Sequence, residues 1–129
     1  VQEWAERKLA REPFQPSRTN VASVVWQRSA CRPLFGEVTL RVEPSSKFCF
    51  VDEAVWPDGW DEYSLCVRDG ILDALLIDLA VAPGGKFTLE RIEWQPEASV
   101  PAAYAAAARK AVSELFKKEH ESDEQGNAI

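Results

Sequence analysis

The chain has 129 residues, of which 46% are hydrophobic and 10% aromatic, and its net charge is -6 at pH 7. This length suits one domain with its own hydrophobic core, and no apolar run approaches the roughly 20 residues of a membrane-spanning helix. Three widely spaced cysteines argue against a disulfide framework and against paired zinc ligands. We therefore expect a reduced, cytoplasmic protein without membrane contact.

The charge is unevenly distributed along the chain. Residues 1–35 carry six Arg or Lys against three Asp or Glu, a balance of +3. Residues 36–116 carry seven against fourteen (-7), and residues 117–129 carry two against four (-2). Because an acidic body repels phosphate, any contact with nucleic acid should be confined to an edge supplied by the N-terminal third.

Good helix formers occupy residues 3–12, where Trp4 and Leu9 are spaced for an amphipathic helix ending before Pro13. A stretch containing Pro and Ser follows, so residues 1–20 are predicted to be an N-terminal helix and linker. No secretory signal is visible. Because the first residue is Val and not Met, we expect an excised or processed chain.

Three strands are predicted next. Residues 21–27 are rich in β-branched and aromatic side chains, and residues 37–44 alternate apolar with polar side chains. A turn then returns the chain as a third strand over residues 47–55, so we expect a hairpin between the second and third strands. Cys49, within the third strand, should pack in the core as a small hydrophobe.

A helix is predicted over residues 61–79, capped by Asp58 or Asp61. Gly70 in its middle costs about 1 kcal/mol relative to Ala, and we expect it to let a strand approach closely. Cys66 should pack in the core. The apolar face has spacings of three and four residues and comprises Tyr63, Val67, Gly70, Ile71, Ala74 and Leu75.

Residues 86–94 are the last predicted strand. Its apolar side chains change parity, so either a bulge intervenes or both faces are covered. Ser99, two residues before Pro101, is predicted to cap the last helix. The apolar stripe of that helix comprises Tyr104, Ala108, Ala111, Val112 and Leu115.

After Phe116 the chain is charged and lacks apolar spacing, so we expect a solvated or disordered tail, with residues 119–129 forming an acidic tail. The element order is then β-β-β-α-β-α over a domain of residues 21–118. Runs of strands with helices over one face define an α+β fold, here a two-layer α/β sandwich.

No catalytic or metal-binding constellation stands out, and no cofactor, metal or small-molecule substrate is expected. His120 has no positioned partner in its charged surroundings. The tryptophans are expected to pack in or beside the core, because platforms for single-stranded nucleic acid also need a cationic groove. Arg28 and Arg32, which flank a loop between two strands, are either ordinary solvated residues or contacts for RNA phosphate.

Five segments together resemble a known family. These are FGEVTLRVEP at 35–44, FCFVDEAV at 48–55, VRDGILDAL at 67–75, KFTLERIEW at 86–94 and ASVPAAYAAAARKAVSELFKK at 98–118. In this order they resemble domain IV of translation elongation factor G. The resemblance covers about residues 21–118, and its specificity lies in the shared order of the segments.

The resemblance implies a non-catalytic, ribosome-associated domain that supports translocation, with any GTPase activity in a domain absent from this chain. In the family, loops at the tip of the domain reach the decoding region. By position, the contacts to RNA or a partner fall on two loops, both shorter here than in the family: Arg28, Ser29 and Arg32 in the first, and Gln95, Glu97 and Ser99 in the second.

A second hypothesis is a repurposed protein-interaction or regulatory domain without RNA contact. The acidic body favours it, because an acidic surface repels RNA phosphate. The fold permits it, since one scaffold can carry unrelated sites. Its partner would be a protein in place of the ribosome.

Overall fold

The structure is a computed structural model that describes residues 14–28, 34–57, 62–95 and 98–127, with side chains as far as residue 120. Predictions for residues 3–12, Asp58 and Asp61 lie outside the described residues. The elements, in chain order, are strands β1 (Asn20–Arg28), β2 (Leu34–Glu43) and β3 (Cys49–Asp52), helix α1 (Glu62–Asp73), a π-helical turn (Ala74–Asp78), strand β4 (Lys86–Glu93) and helix α2 (Pro101–Asn127).

The strands form one mixed sheet in the order β1-β2-β4-β3, in which β1 and β4 pair antiparallel with β2 and β3 pairs parallel with β4. The predicted hairpin between β2 and β3 is therefore wrong. Phe87, Thr88 and Leu89 of β4 are fully buried, which suits a central strand, whereas β3 has the exposed Cys49 and suits an edge. The core prediction for Cys49 is wrong as well, and Cys66 is only half-buried.

A bulge resolves the parity change in β4. The pairing of β2 with β4 shifts between Thr39 and Leu40, which pair with Arg91 and Leu89, so Glu90 is the extra residue. One extra residue turns the following side chains to the other face. The bulge alternative is thus confirmed, and Ile92 packs against the same core as Leu89.

Helix α2 packs on β1 and β2, and α1 packs against α2, which confirms the α+β fold and the β-β-β-α-β-α order. Burying one leucine of this core contributes about 1.5–3 kcal/mol. Both predicted apolar stripes are confirmed, since all their members are buried. They are Tyr63, Val67, Gly70, Ile71, Ala74 and Leu75 on α1 and the following turn, and Tyr104, Ala108, Ala111, Val112 and Leu115 on α2.

Gly70 permits a close approach of a helix, not of a strand as the sequence predicts. A Cβ on Gly70 would collide with the carbonyl oxygen of Ala105 on α2. Three residues later, α1 gives way to a π-helical turn in which the Leu79 amide donates to the Ala74 carbonyl. Glycine and alanine at the crossing therefore set the separation of the two helices.

The segment that precedes β1 packs on the domain. Phe14 is buried against Phe87 and Phe116, with ring centroids 6.1 and 5.9 Å apart. Glu119, on the far end of α2, accepts hydrogen bonds from the amide of Ser17 (2.7 Å) and from its hydroxyl (2.5 Å).

Helix α2 continues to Asn127 and Glu119 is buried, whereas the sequence predicts a tail in this region. The helix persists past Phe116 because its next turns have a partner in the segment before β1, which local sequence spacing does not reveal.

Candidate functional site

One end of the sheet gathers the two loops that the sequence selects. Arg28, the last residue of β1, pairs with Leu34, the first of β2. The Phe35 amide donates to the Ala98 carbonyl at 2.8 Å, and Phe35 forms a parallel bridge with Ser99. The connection that follows β1 and the connection that follows β4 therefore meet at this end. We call this end of the sheet, where residues 28–34 and 95–99 connect its strands and helix, the tip.

The predicted contact residues have different environments at the tip. Arg28 is exposed, and within the described ranges it forms no salt bridge. Ser99 is buried, with 8% of its surface exposed. Gln95 is exposed and uses its backbone within the loop. Ser29, Arg32 and Glu97 lie outside the described residues.

The hydroxyl of Ser99 holds its own loop together instead of capping α2. It accepts the Gln95 amide at 2.9 Å and lies 3.0 Å from the Tyr104 hydroxyl, which donates to the Glu93 carbonyl at 2.6 Å. The predicted cap role of Ser99 is therefore wrong, because Tyr104 and Gln95 engage this oxygen. Ser99 shapes the surface that the loop presents.

Four aromatic side chains pack together beneath the second loop: Trp56, Tyr63, Trp94 and Tyr104. Trp56 meets Tyr104 edge to face at 5.2 Å, and Trp94 stacks on Tyr104 at 5.8 Å. The Trp56 indole donates to the Asp52 carboxylate at 2.7 Å. Both tryptophans are half-buried, as expected for packing beside the core. Sequence spacing does not group the four residues, although all lie at or near element ends that meet at the tip.

Burial changes the titration of this aromatic cluster. Removal from water raises the pKa of the Tyr104 hydroxyl, and the hydrogen bond with Ser99 offsets part of that rise. Burial also raises the pKa of Tyr63, with a further contribution from the Glu62 carboxylate. Since the neutral phenol is favoured at both positions, neither tyrosine supplies a phenolate at neutral pH.

Two carboxylates lie opposite each other beside the tip. Glu37 of β2 pairs with Glu93 of β4, and both flank residues whose side chains face the core, so the two glutamates share the outer face. Like charges directly opposite one another destabilise a sheet. The tip therefore combines the exposed Arg28 with an adjacent acidic pair.

A metal site, a membrane-spanning helix and a catalytic histidine find no support in the described part of the chain. Among residues 14–28, 34–57, 62–95 and 98–120, no group of three His, Cys, Asp or Glu side chains is arranged to hold a metal ion. No helix of the described chain is long and apolar enough to cross a membrane. His120 is exposed and contacts the Phe116 ring edge to face at 4.2 Å.

The fold and the tip define the chain as a two-layer α+β sandwich with two connections meeting at one end of its sheet. No protein family model and no curated protein matches it. Its fold is similar to part of a Thermus thermophilus protein known from a crystal structure, with a TM-score of 0.70 and 21% identity. The match covers 81% of this chain and 16% of that one. Similarity at this identity establishes the fold alone.

Proposed function

We propose that this chain is a non-catalytic domain of the elongation factor G domain IV type, which contacts ribosomal RNA through its tip and supports translocation. The collinear sequence segments support this proposal. The fold is consistent with them, and the similar fold from Thermus thermophilus makes up only 16% of a much longer chain.

The adjacency of the two loops carries the proposal. The bond from Phe35 to Ala98 and the pairing of Arg28 with Leu34 bring both loops to one end of the sheet. Two neighbouring loops at one end of a sheet are suited to contacting folded RNA, which proteins recognise mainly by shape and phosphate contacts. The hydrogen bonds of Ser99 and the aromatic packing beneath it fix the two described ends of the second loop, Gln95 and Ser99.

Arg28 supplies the electrostatic part of the proposed contact. Its guanidinium is exposed at the end of β1 and forms no salt bridge with any described residue. An arginine in this position can meet a phosphate in two-pronged geometry. Each phosphate neutralised makes the logarithm of the affinity fall by about 0.7–0.9 per tenfold rise in salt.

Co-sedimentation with purified ribosomes at a series of salt concentrations tests the proposal. We expect binding at low salt that weakens as salt rises, and Arg28→Ala should weaken binding and reduce the salt slope by about one. Arg32→Ala extends the test to the remainder of the first loop. Arg18→Ala is the matched control, because Arg18 precedes β1 at the opposite end of the sheet and donates there to the Lys118 carbonyl at 3.3 Å.

Two results would contradict the RNA proposal. One is no sedimentation with ribosomes even at the lowest salt. The other is binding that Arg28→Ala and Arg18→Ala weaken equally, because the contribution would then be general charge and not the tip.

The second candidate, a protein-interaction or regulatory domain, is supported by the opposed glutamates. A cationic side chain from a partner would relieve the repulsion between Glu37 and Glu93. Titration with an oligo-arginine peptide tests it. We expect binding that Glu93→Gln weakens and that Glu114→Gln, on the solvent side of α2, leaves unchanged. Ribosome binding without peptide binding decides for RNA, and the reverse decides for a protein partner.

A further inference from the structure

Strand β1 is an open edge of the sheet. It has nine residues and, within the described part of the chain, pairs with β2 on one side only. Its sequence, NVASVVWQR, contains no proline and its single charge is Arg28 at its end. The two valines on its outer face, Val21 and Val25, are 41% and 37% exposed. Natural edge strands are usually shortened, bulged or charged to prevent pairing with another chain.

The other edge has such protection. Strand β3 has only four residues and ends at Asp52, and Glu53 follows directly. A short edge with carboxylates at its end is a poor template for a further strand. The difference between the two edges singles out β1.

The hydrogen-bonding direction of β1 follows from β2. The Phe35 amide points away from β1, toward Ala98, so the pair of Phe35 with Gln27 exchanges no hydrogen bonds. The backbone groups of Gln27, and by alternation those of Val25, Ser23 and Val21, therefore point to the open edge.

A side chain already uses one of these edge groups. The Lys118 ammonium donates to the Val21 carbonyl at 2.5 Å, which agrees with an outward direction at that residue. Within the described ranges, no backbone group bonds the edge side of Ser23, Val25 or Gln27. Three successive outward pairs of N–H and C=O groups are thus available to another strand.

We propose that β1 pairs antiparallel with β1 of a second copy of this chain, about a two-fold axis at Val25. The outward N–H and C=O groups of one strand must lie opposite the outward groups of the other. A two-fold axis at Val25 places Ser23 opposite the partner's Gln27. It also leaves the bond of Lys118 to Val21 intact. Antiparallel strands direct the two tips away from each other, so this interface and the proposed RNA contact share only Arg28.

The side chains are self-complementary in this register. On the outer face, Val25 lies opposite Val25 of the second copy, and the half-exposed valine is covered. On the inner face, Val24 lies opposite Trp26, so an apolar pair forms there too. Apolar cross-strand pairs of this kind stabilise a sheet. No like charges are opposed, because Arg28 lies opposite Ala22.

The charge of the whole chain predicts how the dimer responds to salt. Each copy has a net charge of -6, so two copies repel and screening should strengthen their association. A single pair of edges is smaller than a standard stable interface, which places the expected dissociation constant between about 1 µM and 1 mM. Binding to ribosomal RNA has the opposite dependence on salt.

Sedimentation equilibrium of the full chain up to about 1 mM, at low and high salt, tests the dimer. We expect the mass to rise toward twice that of the monomer, and to rise further at high salt. Val25→Lys opposes two ammonium groups and should raise the dissociation constant at least about tenfold. Val55→Lys is the control, since it makes the same charge change at a valine that is 89% exposed outside β1.

A second variant and a second readout separate pairing from general effects. Val25→Pro removes an N–H that points to the open edge, so the fold should persist while dimerisation is lost. In hydrogen exchange, the amides of Ser23, Val25 and Gln27 should become protected only at high concentration, whereas the amide of Val24 is protected at both. A mass that stays monomeric at every salt, or a dimer that Val25→Lys leaves unchanged, would overturn the proposal.

Discussion

At the scale of single residues, the hydroxyl of Tyr104 links three parts of the tip. It joins β4, through the Glu93 carbonyl, to the second loop, through Ser99, and it belongs to a helix that covers the core. Thr88 provides the contrast, since its hydroxyl is fully buried and has no hydrogen-bond partner in the described part of the chain. A buried polar group stabilises a fold only when it is satisfied.

Replacing Tyr104 with Phe should lower the free energy of unfolding by about 1–3 kcal/mol, because Glu93 and Ser99 lose their buried partner. Thr88→Val is the matched variant. It also deletes a buried hydroxyl, but one without a partner, and should leave the free energy unchanged or raise it by about 1 kcal/mol. Urea denaturation measures both. Equal losses in the two variants would mean that the network at Tyr104 contributes nothing beyond packing.

The stability of the domain should fall at alkaline pH. Burial raises the pKa of Tyr104 in the folded state above its value of 10.0 in the unfolded chain. The folded state therefore favours the neutral phenol, and this contribution is complete below pH 10 and is lost as pH rises through the folded-state pKa. Urea midpoints measured from neutral pH to about pH 11 should decline, and less steeply in Tyr104→Phe. The residual decline belongs to Tyr63 and Cys66, whose pKa values are also raised by burial.

At the scale of elements, the order of the sheet shows which features sequence spacing can predict. Alternation over residues 37–43 and the parity change before Ile92 are local; the first predicts a strand, and the second predicts the observed bulge as one of two alternatives. The insertion of β4 between β2 and β3 depends on contacts between Phe87 and segments more than thirty residues away, which no local period records. The capping signal at Ser99 failed for a different reason, because its hydroxyl bonds with Tyr104 and Gln95 and does not cap the helix.

The close approach of the two helices at Gly70 leads to a testable prediction for stability. Ala is a better helix former than Gly by about 1 kcal/mol, yet the added methyl group would collide with the Ala105 carbonyl on α2. We expect Gly70→Ala to lower the free energy of unfolding by about 1–3 kcal/mol net, because overpacking outweighs propensity. Asp69→Ala, on the exposed side of the same helix, changes propensity and removes only a surface ion pair with Arg68 at 3.5 Å, so it should change stability by less than about 0.5 kcal/mol. A gain in Gly70→Ala would show that the helices separate without cost.

At the scale of the whole molecule, the segment before β1 contacts the C-terminal half of α2, away from the tip. Phe14 fills a gap between Phe87 and Phe116, and the Glu119 carboxylate binds Ser17. Sequence spacing places both segments outside the domain, because each is too short or too charged to form a core alone. Their interaction is non-local, so it could be recognised only in the folded chain.

From the contact between Ser17 and Glu119, we expect Glu119 to stabilise the domain although it belongs to a charged segment. Hydrogen bonds to a charged group contribute about 1.5–3 kcal/mol, so Glu119→Ala should lower the free energy of unfolding by that amount and increase hydrogen exchange at the Ser17 amide. Glu114→Ala is the control, since Glu114 lies on the same helix and forms a surface ion pair with Lys117 at 3.8 Å. If both variants lose the same small amount, the bonds to Glu119 add nothing to the contacts that Phe14 and Arg18 make with the domain. If only Glu119→Ala is destabilised, the last turns of α2 are part of the folded domain, and a chain truncated after Phe116 should be less stable for the same reason.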